Sequence, residues 1–171
     1  MIKSHIIEAN NLSIGYEGKT LLQNINLKLE KKQLCCILGA NGIGKSTLLK
    51  TLAGLIPVID GDIIIDQKAL KTISHIDIAK RISIVINNQT INPDITIKEL
   101  VALGRSPHTS GSGWLKEEDH EIVSQALDSC NLIKLKQNKI GQVSDGERQR
   151  AMIARCMAQR TDLILLDEPT A

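Results

Sequence analysis

The sequence predicts an α/β protein, and three observations carry that expectation. An apolar run at residues 33–38 leads straight into a glycine-rich segment at 39–47, and a helical pattern with Leu48, Leu49, Leu52 and Leu55 follows it. A second apolar run at residues 163–166 ends in Asp167-Glu168. Short runs rich in Ile, bounded by Gly, Asn and Asp, fill the first third and alternate with turn signals as strands do. At 171 residues the chain is at most one ordinary domain or a large lobe of a bigger one, enough for a core.

The elements follow in order. Residues 6–14 read as a strand, and residues 22–29 as another, with Ile25, Leu27 and Leu29 on one side. Residues 33–38 read as a strand buried on both faces. A helix over 45–55 is followed by Pro57 and Asp60-Gly61, a turn into a strand at 62–66. Residues 82–86 suggest a further buried strand. Thr96-x-x-Glu99 matches a capping box ahead of Leu100, Val101 and Leu103. Residues 104–113 read as a Ser- and Gly-rich loop, and residues 116–130 as a helix with Ile122, Val123, Ala126 and Leu127 on its inner face. Ser144-x-x-Glu147 opens another helix through Met152, Ile153, Cys156 and Met157, and residues 163–166 read as a last buried strand.

Composition narrows the function. The chain is 42% hydrophobic and 23% charged, which indicates neither disorder nor a membrane-embedded protein, and no stretch approaches a membrane span. With no Phe, one Tyr and one Trp, a nucleic-acid platform that stacks successive bases is excluded. The net charge of +2 is spread along the chain, so nucleic acid is not an expected partner. Cys35, Cys36, Cys130 and Cys156 lack metal-ligand or redox spacing and are expected to be buried free thiols of a reducing cytosol. No signal peptide is read at the N-terminus.

Two motifs carry chemistry. Gly39-Ala40-Asn41-Gly42-Ile43-Gly44-Lys45-Ser46-Thr47 fits G-x-x-x-x-G-K-[ST] between an expected strand and an expected helix. Its glycines let backbone N–H groups face phosphate oxygens at a helix N-terminus, where Lys45 bridges the outer phosphates and Ser46 ligates Mg²⁺. Asp167 is placed to hold Mg²⁺ through water at the carboxyl end of a strand, and Glu168 to polarise an attacking water.

These motifs, with residues 143–147 (Val-Ser-Asp-Gly-Glu) between them, stand in the order and at the distances seen in the nucleotide-binding domains of ATP-binding-cassette proteins. The resemblance covers essentially the whole chain. It implies a P-loop NTPase fold: a RecA-like three-layer core with an N-terminal antiparallel β subdomain and an inserted helical subdomain. Residues 1–86 and 158–171 would form the core lobe, and 87–157 the helical lobe with the signature motif. Ser144, Asp145, Gly146 and Glu147 are the signature, which in this family closes over the γ-phosphate held by a partner subunit. Tyr16 resembles the aromatic residue that stacks on adenine. The glutamine that contacts Mg²⁺ and the attacking water corresponds to Asn87 or to Gln89. Asp145 replaces the signature's first glycine and is expected to turn outward, since a carboxylate near a γ-phosphate repels it.

The resemblance further implies ATP and Mg²⁺ as ligands and a head-to-tail dimer with itself or a second ATPase subunit. Integral-membrane permease subunits would be direct partners and a substrate-binding protein an indirect one, placing the chain in the cytoplasm on the inner face of the membrane. Residues 100–109 and the Ser-Asp-Gly-Glu-Arg-Gln signature look like the ATPase subunits of importers for iron-siderophores, haem and cobalamin. The alternatives are a soluble cassette ATPase acting on DNA or the ribosome, and a non-catalytic nucleotide-binding fragment. His5, His75, His108 and His120 all precede Asp167-Glu168, whereas the family's γ-phosphate histidine follows them. The sequence is therefore expected to be C-terminally truncated and, at 171 residues, inactive as an ATPase.

Overall fold

The computed structural model describes residues 5–16, 18–86, 90–109 and 113–168, and the chain divides into two compact units, residues 1–78 and 79–171. In the first, β1 (His5–Tyr16) pairs antiparallel with β2 (Lys19–Glu30) on one side and β3 (Asp60–Ile65) on the other. β4 (Lys68–Ala69) completes the order β2-β1-β3-β4. Ile7, Ala9, Leu12 and Ile14 of β1 are at most 1% exposed. The buried face moves from odd to even positions at a register irregularity between Ala9 and Leu12, where Asn11 takes φ 47°, and Ile7 and Ala9 pair with Ile65 and Ile63 of β3. α1 (Lys45–Leu52) packs on β1 and contributes Leu48, Leu49 and Leu52 to this aliphatic core. Gly61 sits at φ 84° with its Cα so close to the Asn10 and Asn11 carbonyls that a Cβ would lie 2.5–2.6 Å from their oxygens. Only glycine fits that β1–β3 crossing.

In the second unit β5 (Ile82–Val85) runs parallel to β6 (Leu163–Leu166), with Ile82 opposite Leu163 and Val85 opposite Leu166. Parallel neighbours need a long crossover, and here the whole helical segment supplies it. α3 (Ile97–Ala102), α4 (Glu117–Ser129) and α5 (Asp145–Ala158) bury Leu100, Val101, Val123, Leu127, Ala151 and Ala154 against one another. Both expected capping boxes form: Thr96 and Ser144 each accept from the backbone N–H three residues on, while Glu99 and Glu147 reach back. α2 (His75–Ala79) precedes β5. No described helix is long and apolar enough to cross a membrane.

Four expectations are corrected. Residues 33–38 form no strand; Leu34 and Leu38 are 94% and 91% exposed. A strand buried on both faces needs ladder partners, and neither described sheet offers residues 33–38 one, so its backbone faces water. Cys35 and Cys36 lie in this segment and are exposed, whereas Cys130 and Cys156 are buried as expected; burial raises the pKa of both buried thiols. β6 is buried at Leu165 alone, because Ile164 and Leu166 point to a face that no described element covers. Finally, the first half of the expected loop at 104–113 is a 3₁₀ helix, Leu103–His108, in which Gly104 and Arg105 are buried.

Arg105 explains that last difference. Its Nε donates to Asp119 Oδ1 at 2.8 Å and its Nη1 to the Ala158 carbonyl at 2.8 Å, tying the 3₁₀ helix to the first turn of α4 and the last of α5. Both side chains of the pair are under 10% exposed. The hydrogen bond from Arg105, and then that from the Lys116 N–H, hold the Asp119 carboxyl below its ordinary pKa. A depressed carboxylate stabilises the fold above its unfolded pKa, and that stability is lost as pH falls through the folded value. Asp119→Asn leaves the guanidinium buried without its counter-charge and is expected to cost about 3–5 kcal/mol in denaturant unfolding. It should also flatten the acid-unfolding limb relative to wild type.

Candidate functional site

The phosphate-loop segment belongs to the first unit. Residues 39–43 are exposed coil, and the chain turns into α1 through Gly42 at φ 78° and Gly44 at φ 111°. Gly44 is the N-cap, and with no side chain it offers no acceptor to the first helical turn, which also lacks an acidic residue. An α-helix that opens this way leaves its N-terminal N–H groups and positive dipole end available to an anion. Lys45, the first helical residue, folds back so that Nζ donates to the Gly39 and Ala40 carbonyls at 2.9 and 3.0 Å. The loop is thus closed around its own cation. Tyr16, at the end of β1 and 52% exposed, meets the same turn: Thr47 Oγ1 donates to its hydroxyl at 3.4 Å. The strand expected before the loop is absent, the helix after it present.

The other chemistry-bearing residues belong to the second unit. Asp167 directly follows β6, is 6% exposed, and its N–H donates to the Val85 carbonyl at 3.0 Å, the bond that closes the parallel ladder at the Val85–Leu166 pair. Glu168 is exposed and sits in the left-handed region at φ 46°. Adjacent carboxylates therefore have opposite environments, the first in the protein and the second in water. A non-glycine residue at positive φ carries a backbone cost of order 1 kcal/mol.

Ser144 caps α5. Its N–H and hydroxyl both donate to Glu147 Oε2, at 2.8 and 2.9 Å, and these bonds, the backbone one first, lower the Glu147 pKa. A Cβ placed on Gly146 would meet nothing within 4 Å, so the surface beside the cap is open. The Asp145 side chain is 91% exposed and turns outward to Arg148, 3.3 Å from its Nη1. Asn87 and Gln89 lie outside the described residues.

Sequence reasoning did not anticipate the buried Arg105–Asp119 pair, because a salt bridge spanning 14 residues has no local signature. Nor did it point to a cavity of about 530 Å³ in the first unit, lined by residues of the 54–63 turn and strand and of 70–78. None of the phosphate-loop residues lines it.

The family model of the ABC transporter matches residues 22–171. The chain belongs to the ABC transporter family. Among curated relatives, the petrobactin import ATP-binding protein of Bacillus anthracis is 39% identical over 165 residues, covering 96% of this chain and 61% of its own length. The ferric enterobactin transport ATP-binding protein of Escherichia coli is 36% identical over 164 residues, covering 96% of this chain and 60% of its own length. A solved metal-chelate type ABC transporter in an inward-facing conformation shares 33% identity at a TM-score of 0.82, with 98% of this chain and 61% of that chain covered. A nucleotide-free ATP-binding cassette, 21% identical at a TM-score of 0.84 over 98% of this chain and 70% of its own, shares the fold. The fold class is therefore that of an ABC ATPase, with its N-terminal antiparallel sheet and its helices. This ABC chain spans about three-fifths of the length of the curated relatives it matches.

Proposed function

We propose that the chain binds ATP and, in the whole protein, hydrolyses it to drive a membrane importer for iron chelates: an iron-siderophore, haem or cobalamin. The observation that carries this reading is the start of α1, an uncapped helix N-terminus fronted by a glycine loop and a lysine that holds only loop carbonyls. An anion fits there because it supplies the acceptor that the N-cap Gly44, without a side chain, cannot. The relatives' functions, petrobactin import and ferric enterobactin transport, support the chelate class.

In this mechanism Lys45 exchanges the Gly39 and Ala40 carbonyls for the outer phosphates, while the amides of residues 39–47 hold the remaining oxygens. Tyr16 offers its exposed ring to adenine. Ser46 and Asp167, with Asn87 or Gln89, are the residues that would hold Mg²⁺. Asp167, buried where the chain leaves β6, brings a carboxylate to the end of that strand, the kind of oxygen ligand Mg²⁺ takes. When bound, the metal neutralises phosphate charge. Glu168 orients the attacking water and accepts its proton from the solvent side. In a head-to-tail dimer, formed with itself or a second ATPase subunit, Ser144, Asp145, Gly146 and Glu147 of one subunit close over the nucleotide of the other. Permease subunits in the membrane receive the work, with the ATPase on its cytoplasmic face and the substrate-binding protein acting indirectly.

Affinity purification of the tagged protein from detergent-solubilised membranes tests this reading. Recovery of an integral-membrane permease is expected. Recovery of ribosomes or DNA in its place would contradict it.

A further inference from the structure

The signature of this chain carries a carboxylate where an incoming triphosphate would be repelled, and the structure holds that carboxylate aside. Asp145 is the first residue of α5, and its exposed side chain leans along the helix to Arg148, one turn on, with the carboxylate oxygen 3.3 Å from Nη1. Arg148 Nε, shielded from solvent, has no hydrogen-bond partner among the described residues, so no competing acceptor holds that edge of the guanidinium. Glu147, the other acid of this turn, is already committed to Ser144 through the capping box. Beside the cap, the surface at Gly146 is open. Asp145 is thus the one acid of the first turn of α5 whose position depends on a salt bridge alone.

We propose that Arg148 is a positioning residue: it neutralises Asp145 and draws it toward the second turn, so that the α5 N-terminus meets a nucleoside triphosphate without facing a free carboxylate. The inference rests on the reading above, in which residues 144–147 close over the nucleotide of a second subunit. Without Arg148, the Asp145 carboxylate swings free over the helix end and opposes each approaching γ-phosphate. The pair's contribution to fold stability is small, as for any exposed i,i+3 pair, so its effect is on nucleotide recognition.

The test is phosphate release against MgATP concentration by the whole protein at the length of its relatives, for wild type, Arg148→Gln, Arg148→Lys and Asp145→Asn/Arg148→Gln. Arg148→Gln is expected to raise the KM for ATP about tenfold at low salt, with the deficit shrinking toward 0.5 M NaCl as screening weakens the repulsion, order-of-magnitude values for one charge at this range. Arg148→Lys and the double variant are expected to return KM to within about threefold of wild type. A merely structural role for Arg148 would leave the double variant as impaired as the single. That result, or an Arg148→Gln KM equal to wild type, would overturn the proposal. A wild-type protein that releases no phosphate would overturn the underlying ATPase reading, and the proposal with it.

Discussion

Glu168→Gln is expected to retain ATP binding and lose turnover. Glu168 is exposed one residue beyond the buried Asp167, at φ 46°, so the backbone aims consecutive carboxylates in different directions. The amide keeps the shape and can still orient a water, yet it cannot accept a proton. Removing a general base of this kind lowers turnover by roughly 10²–10⁴-fold, and steady-state phosphate release would read the loss directly. Binding should persist because Glu168 is not among the groups assigned to hold the phosphates. Near-normal hydrolysis by the variant would remove Glu168 from the mechanism.

Lys45→Ala is expected to remove most of the nucleotide stabilisation while leaving the fold intact. In the free protein the ammonium bonds only exposed loop carbonyls, which water satisfies when the side chain is removed. Against a triphosphate the same ammonium makes charge-assisted hydrogen bonds worth about 1.5–3 kcal/mol each, so affinity should fall at least tenfold to a hundredfold. At a ligand concentration of about 100 Kd the wild type gains ~2.7 kcal/mol, equivalent to several degrees in melting temperature. A hundredfold weaker variant gains only about 0.4 kcal/mol under the same conditions. Thermal melting with and without MgATP therefore separates the two proteins. An equal shift in both would place the nucleotide elsewhere.

What could be read from the sequence was what is decided locally. Thr96-x-x-Glu99 and Ser144-x-x-Glu147 specify reciprocal hydrogen bonds within four residues, and both form. The glycines of residues 39–44 and the helix after them are local in the same way, since positive φ at Gly42 and Gly44 is a property of those residues themselves. Residues 33–38 show the limit. Their apolar run is compatible with a buried strand, but a strand exists only with neighbours, and pairing is decided far away in the chain. The exposure of Cys35 and Cys36 follows from the same cause. Arg105 was equally opaque, because in a Ser- and Gly-rich segment nothing marks an arginine whose partners are Asp119 and the Ala158 carbonyl. Asp145 is the intermediate case: electrostatic repulsion predicts that it turns outward, while its partner Arg148 became visible only in the folded helix.

Whether this chain powers a membrane importer with ATP is decided by phosphate release from the whole protein reconstituted with its permease in lipid vesicles. Magnesium-dependent ATP hydrolysis is expected, rising when an iron chelate and its binding protein are supplied. Hydrolysis indifferent to permease and chelate, or no hydrolysis at all, would contradict it.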